Sequence, residues 1–287
     1  MKNLNFVFCC LFFVSAIQAQ RSQLNVPTLS PFAEAKQEIG LTTIELSYSR
    51  PSMKGRKIFG DLVPYNQIWR TGANASTKLT FTEDVKVGGN PLPTGTYALY
   101  TIPGEAQWTI IIHKNTEMRS IEGRYKAEDD AFRFEVPVIK NPLSVETFTI
   151  VFSDITTNTC ALSLCWENVV VKIPIEVEVD AKIEAQMAEL LKTPDQIAHA
   201  TYFRAAEYYL HNEKNLEQAL IWIERALEMS ENNFRYGLLK SKIQAARGDK
   251  AAALETIKLA NKWAVVAKND NYISQTKLFW EQLEKGN

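Results

Sequence analysis

YSRPSMKGRKIFGDLVPYNQIWRTGANASTKLTF, residues 48–81, is the stretch on which the reading of the fold turns. It opens in a strand that ends at Arg50-Pro51 and closes in another that begins near Ser76. Between them, Gly55, Gly60, Pro64 and Gly72 interrupt any helical or strand period, so the middle reads as loop. That loop nevertheless carries Ile58, Phe59, Leu62, Val63, Ile68 and Trp69. A surface loop so apolar cannot simply sit in water. It is expected to fold down as a packed element on one face of a β-sandwich. The same stretch concentrates Arg50, Lys54, Arg56, Lys57 and Arg70 against a single acid, Asp61.

The flanking chain supports an all-β first half. Over residues 42–49, Ile44, Leu46 and Tyr48 alternate with Thr43, Glu45 and Ser47, the period of a half-buried strand. Before it, PFAEAKQEIGL (31–41) reads as one helical turn. After the loop, Gly88-Gly89-Asn90 and Pro93-Thr94-Gly95 are turn signals. Strands are expected over 77–81, 96–102, 107–113, 132–139, 145–152, 159–166 and 169–177, with 117–130 charged and irregular. Eight or nine short strands with closely spaced turns point to a mainly antiparallel sandwich or jelly roll.

Near Val179-Asp180 the period changes. Ile183, Met187, Leu190 and Leu191 mark a helix over 181–192, and Thr193-Pro194 reads as a cap with proline at the first position of the next helix. NLEQALIWIERA (215–226) and DKAAALETIKLA (249–260) align without a gap at an offset of 34 residues. Ala219 matches Ala253, Leu220 matches Leu254, Ile223 matches Ile257, and Ala226 matches Ala260. That period and the Ala-x3-large-x2-Ala spacing resemble the second helix of tetratricopeptide hairpins. The Trp-x2-Leu-Gly-x2-Tyr pattern of the first helix and the closing proline are both missing, so a simple antiparallel bundle stays open as the other arrangement. The expected layout is a multidomain α+β chain. It has a leader over 1–19, a flexible lead over 20–29, a β-sandwich domain over 30–179 and a helical-repeat domain over 180–287.

The leader rests on Lys2, an apolar run over 6–16 and Ala19 at a cleavage position. Cys9 and Cys10 lack the Leu-Ala-Gly-type lead-in of a lipid anchor. No later run approaches the ~18 apolar residues of a membrane helix, so no transmembrane segment is expected. The protein is therefore expected outside the cytoplasm, in the periplasm or cell envelope or beyond it. Removal of the leader leaves Cys160 and Cys165, in what reads as one strand. Five residues along a strand span about 16 Å, whereas bridged Cα atoms approach to roughly 6 Å, so the two should not pair. A formal net charge of −1 provides no field to gather nucleic acid.

The pieces YSRP (48–51), GRKIFG (55–60), LVPY (62–65), WRTGAN (69–74) and GTYALYTIP (95–103), then Trp108 and ALSLCWENVVVKIPI (161–175), resemble the bacterial domain-of-unknown-function family numbered 2911. The resemblance covers residues 30–175. It implies an exported β-rich domain, often followed by helical repeats, and carries no activity. The resemblance also implies a residue other than histidine at position 113, so no role is assigned to His113.

The candidate ligand-binding residues are Arg50, Arg56, Trp69, Arg70 and Asn74. Guanidinium forks suit a carboxylate, phosphate or sulfate, and Thr71-Gly72-Ala73 can present backbone N–H groups in a tight turn. Trp69 beside them suits stacking on a sugar ring, so the expected ligand is a small anion or a saccharide. Two other readings stand beside this one. In the first, Arg50 and Arg70 pair with Asp61, Glu45 or loop carbonyls and only pin the loop, and the helical repeats alone mediate interactions. In the second, an envelope hydrolase or carbohydrate-processing enzyme uses Arg50, Arg70, Asn74 and Asp61. Trp108 and Trp166 read as core. No Gly-x-Ser-x-Gly elbow is present, and His113, His199 and His211 are scattered, so no catalytic residue, metal or cofactor is assigned. Aromatics of the helical half, among them Tyr202, Trp222 and Trp263, point mainly to core between hairpins, with a face left for a protein partner. The leading reading is a non-enzymatic binding or scaffold protein of the cell envelope.

Overall fold

The computed structural model describes residues 26–118 and 124–286, so the expected leader over 1–19 lies outside the described residues. Two compact units follow one another, the first ending at Glu176 and the second beginning at Val177. The architecture is α+β, an antiparallel β unit and then helices.

Among the described residues the first unit has nine strands: β1 (Phe32–Ile39), β2 (Thr42–Ser49), β3 (Thr77–Phe81), β4 (Val85–Val87), β5 (Asn90–Leu92), β6 (Gly95–Ile102), β7 (Gln107–His113), β8 (Asp130–Ser153) and β9 (Thr159–Val177). Their spatial order is β1-β2-β3-β6-β7-β8-β9-β4-β5. β8 makes this sequence of neighbours into two layers. Asp130 to Pro137 pairs with β7, while Val138 to Ser153 pairs with β9, and the register shifts between Lys140 and Val145. The second half of β8 thereby crosses the core to β2. Ile150 N–H donates to Tyr48 Oη at 2.9 Å, and Tyr48 Oη–H donates to the Ile150 carbonyl at 3.3 Å. Ile44, Leu46, Leu79, Leu99, Trp108, Ile110, Phe148 and Leu164 fill the space between, as the alternation in each strand requires.

The structure corrects three local readings. Residues 32–39 form β1, paired with β2 along its whole length from Phe32↔Ser49 to Ile39↔Thr42, and not a helical turn. The intrinsic preference of Ala, Glu, Lys and Gln for helix yields to that ladder. Residues 50–76 therefore connect the second and third strands. The four short strands expected over 132–177 are two long bent ones. β9 runs through a bend in which Glu167 sits at φ 53°, so a local backbone excursion replaces a turn. The Gly88-Gly89 signal does form a two-residue hairpin between β4 and β5, with both glycines at positive φ, 58° and 77°.

The second unit has α1 (Asp180–Leu190), α2 (His199–His211), α3 (Leu216–Met229), α4 (Phe234–Ala246), α5 (Lys250–Val266) and α6 (Asp270–Lys285). From α2 onward each helix packs on the next across a short connection. Asn215, Asn233 and Asn269 cap α3, α4 and α6 by accepting from backbone N–H groups of the first turn. Thr193-Pro194 initiates only a short 3₁₀ turn over Pro194–Gln196, without a side-chain cap, and α2 begins at His199. The segments that align at 34 residues lie in α3 and α5, whose first residues, Leu216 and Lys250, are the same distance apart. Ala219, Ile223 and Ala226, like Ala253, Ile257 and Ala260, are completely buried. Close approach is visible at Gly237 of α4, where an added Cβ would come within 2.8 Å of Ala260 Cβ.

Candidate functional site

Residues 50–76 contain only isolated bridges, yet some of their side chains are part of the core. Ile58, Phe59 and Val63 are 0%, 2% and 5% exposed. The Phe59 ring meets Trp108 at 4.9 Å between centroids, and both Trp69 and Trp166 at 6.2 Å. Trp69 in turn meets Phe148 at 5.0 Å and lies nearly parallel to Trp166, 19° apart at 5.8 Å. Such pairs add about 0.5–1.5 kcal/mol each beyond the burial of their area. The loop thus supplies two of the five rings in a cluster whose other three come from β7, β8 and β9.

Backbone hydrogen bonds tie the same segment to strands on several sides. Met53 N–H donates to Glu146 O at 2.8 Å, Asn66 N–H to Pro103 O at 2.8 Å, and Trp69 exchanges a pair with Thr101 at 2.7 and 2.9 Å. Thr71 is held at φ 56°, a conformation β-branched residues rarely take. Its hydroxyl donates to Thr101 Oγ1 at 3.2 Å, and its carbonyl accepts from Thr77 Oγ1 at 2.5 Å. Those contacts over-determine a backbone that local preference disfavours by roughly 1–2 kcal/mol.

The candidate side chains separate into two groups. Arg50 turns away to β8, where Nε donates to Phe148 O at 3.1 Å and Nη2 to Thr149 Oγ1 at 2.7 Å. It pairs with neither Asp61 nor Glu45; Glu45 pairs instead with Lys36 at 3.1 Å. Asp61 is exposed. Arg56, Trp69, Arg70 and Asn74, by contrast, line one open cleft of about 500 Å³. Arg56 Nε donates to Met53 O at 2.9 Å and Nη2 to Ser52 O at 2.7 Å. Arg70 Nη1 donates to Asn74 O at 2.6 Å, and Asn74 Nδ2 reaches Ser30 O at 3.3 Å and Ser49 Oγ at 3.2 Å. The Trp69 indole N–H donates to Gly72 O at 3.1 Å.

The lining also includes residues that were not among the sequence candidates, Lys54 and Trp166 among them. Lys54 sits at φ 51° beside Gly55 and reaches the cleft from a tight turn that Gly55 signals. Trp166, read as core, is 2% exposed and also forms part of the cleft wall. Its place there depends on the return of β9 under the loop, a contact between residues about a hundred positions apart.

Other polar groups are engaged with one another or with backbone. His113 is fully buried; with the proton on Nε2 it donates to Lys126 O at 3.2 Å, while Nδ1 accepts from Asn115 N–H at 3.0 Å. Tyr125 Oη–H and Arg133 Nε both donate to Asp130 at 2.6 Å, so burial and that carboxylate raise the Tyr125 phenol well above its ordinary pKa. This set clasps the segment before β8 to β7. A shallow hollow of about 360 Å³ on β1, β2 and β3 is lined by Glu34, Lys36, Glu45 and Lys78, whose charges offset one another. Cys160 and Cys165 are unpaired, and burial pushes the Cys160 thiol up to about 11. Among the described residues no group of three or more His, Cys, Asp or Glu side chains is placed to hold a metal ion, and no helix is long and apolar enough to cross a membrane.

The family described as a protein of unknown function, DUF2911, matches the chain over residues 30–175. No curated protein matches. Among solved structures, the solution structure of protein BPP2914 from Bordetella parapertussis is similar over 38% of this chain and 90% of its own, at 16% identity and a TM-score of 0.32. A likeness that weak carries no argument.

Proposed function

The chain belongs to the DUF2911 family, and we propose that it is a non-enzymatic binding protein of the cell envelope that holds a small ligand in the cleft beside residues 50–76. One observation carries the reading. A loop that buries Ile58, Phe59 and Val63 leaves an opening of about 500 Å³ that gathers Lys54, Arg56, Arg70 and Asn74 around two indoles. That size and mixture of apolar wall and few convergent polar groups is usual for small-molecule sites. The lining contains no carboxylate, imidazole or thiol among the described residues, so the carboxylate pair that glycoside hydrolysis uses is not in it. The hydrolytic reading also loses Arg50 to β8 and Asp61 to solvent. In this proposal the leader over 1–19 exports the chain, and the helices from α1 onward, arranged as tetratricopeptide-like hairpins, make contacts with a protein partner.

Native mass spectrometry of the whole chain against a panel of carboxylates, phosphates and neutral sugars tests the cleft. At least one class should bind and be recovered unchanged, and Ala73→Trp, which fills the cleft, should abolish that binding. Absence of any binder, or conversion of a bound compound to product, would contradict the proposal.

A further inference from the structure

We infer that the ligand is an amphiphilic anion, a carboxylate or phosphate joined to a flat apolar ring, and not a neutral sugar. This rests on the cleft being a ligand site at all.

The wall decides against a sugar. Trp69 and Trp166 are its largest side chains, and both indole N–H groups are already used. Trp69 donates to Gly72 O at 3.1 Å, and Trp166 donates to Glu146 O at 3.1 Å. What the half-buried Trp69 turns to the cleft is carbon surface, extended by Pro51 and Leu62, while Trp166 and Val63 are nearly covered and add little. Hydroxyl groups pressed against that surface lose water without a partner in return. A planar apolar ring loses nothing there and gains stacking area.

The rim decides the charge. Lys54, Arg56 and Arg70 line the opening with no acid among the described residues. The nearby carboxylates serve backbone donors instead. Glu146 Oε1 accepts from Lys54 N–H at 2.8 Å, and Glu167 Oε2 accepts from Phe59 N–H at 3.3 Å. The Lys54 ammonium has no hydrogen-bond or ion-pair partner among the described residues. Arg56 is fixed through Nε and Nη2 to Met53 O and Ser52 O, which orients the guanidinium and leaves Nη1 for a ligand. An oriented guanidinium beside a free ammonium is the arrangement that holds a carboxylate or phosphate oxygen. With a net charge of −1, the attraction belongs to this spot and not to the protein's overall field.

Isothermal titration calorimetry of the whole chain separates the possibilities with five probes: 2-naphthoate, 2-naphthyl phosphate, 2-naphthalenemethanol, inorganic phosphate and glucose. The two ring-bearing anions should bind at least about tenfold more tightly than the other three, and which of them is preferred identifies the head group. Raising salt should weaken them and leave the alcohol unaffected. Lys54→Met should reduce naphthoate binding toward that of the alcohol without lowering the melting temperature, and Arg56→Met, which also gives up its bonds to Met53 O and Ser52 O, should do the same with at most a small fall in it. Equal or tighter binding of glucose or the alcohol overturns this inference while leaving the cleft as a ligand site. Unchanged naphthoate affinity in both variants overturns it too. If none of the five probes binds and the wider panel is also silent, the inference falls together with the proposal beneath it.

Discussion

Replacing Phe59 with alanine asks whether the irregular segment is core or covering. Phe59 is 2% exposed, although it lies between Gly55 and Gly60 in a stretch without regular structure. Truncating a buried phenylalanine costs about 3–5 kcal/mol through lost transfer energy and the cavity left behind. Its ring also has edge-on partners at 4.9, 6.2 and 6.2 Å, which places the expected cost in the upper part of that range. For a unit of about 150 residues, 4–5 kcal/mol corresponds to a fall in Tm of about 8–20 °C. The assay is urea and thermal unfolding followed by near-ultraviolet circular dichroism, which reports the clustered indoles. The fit must allow for a chain of two units. Leu62→Ala is the internal control, because Leu62 is 43% exposed in the same loop and should cost under about 1 kcal/mol. If Phe59→Ala unfolds like Leu62→Ala, the loop is not part of the core and the reasoning fails.

Other outcomes follow from the same geometry. Arg50→Met removes donors to Phe148 O and Thr149 Oγ1 and should cost about 1–3 kcal/mol in thermal melts while leaving ligand affinity unchanged; a loss of affinity at normal stability would return Arg50 to the site. Gly89→Ala should cost about 1–2 kcal/mol for its positive φ alone, whereas at Gly88 an added Cβ would lie 2.3 Å from the Phe134 ring, so Gly88→Ala should cost more; equal costs in chemical denaturation would mean the hairpin is misplaced. Asp180 is held below the ordinary carboxylate pKa, first by the Lys214 ammonium and then by the Tyr208 hydroxyl. A depressed folded pKa gives stability that is present above about pH 4 and disappears as pH falls through the folded value. Because Asp180 is 35% exposed, Asp180→Asn should cost at most about 1 kcal/mol at pH 7, and the gap from the parent should close in acid melts; a gap that persists at pH 2 argues against the ion pair.

The parts of the fold that could be read in the sequence are those set by local chemistry. Gly88-Gly89 accepts the two positive φ values of its turn, and Ile44, Leu46 and Tyr48 alternate because one face of β2 is buried. The apolar residues among the glycines of 50–76 announced that the loop had to pack. What escaped was set by distant contacts. AEAKQE carries helix formers, and only the ladder to β2 makes it a strand. β8 and β9 could not be seen as single long strands because Asn141-Pro142 and Glu167-Asn168 look like turns in isolation. At the site, Arg56, Trp69, Arg70 and Asn74 were visible as a cluster of types. The departure of Arg50 was not, since its acceptors lie about a hundred residues away on β8.

Amide hydrogen exchange across residues 50–76 tests the central idea most directly. Trp69 N–H is bonded to Thr101 O at 2.7 Å, Val63 N–H to Ile58 O at 2.9 Å and Met53 N–H to Glu146 O at 2.8 Å. If the segment is part of the core, those amides exchange only on the timescale of the β2 and β3 amides, through the same opening. Exchange within seconds, while β2 and β3 stay protected, would mean the segment lies loosely on the sandwich and shapes no cleft.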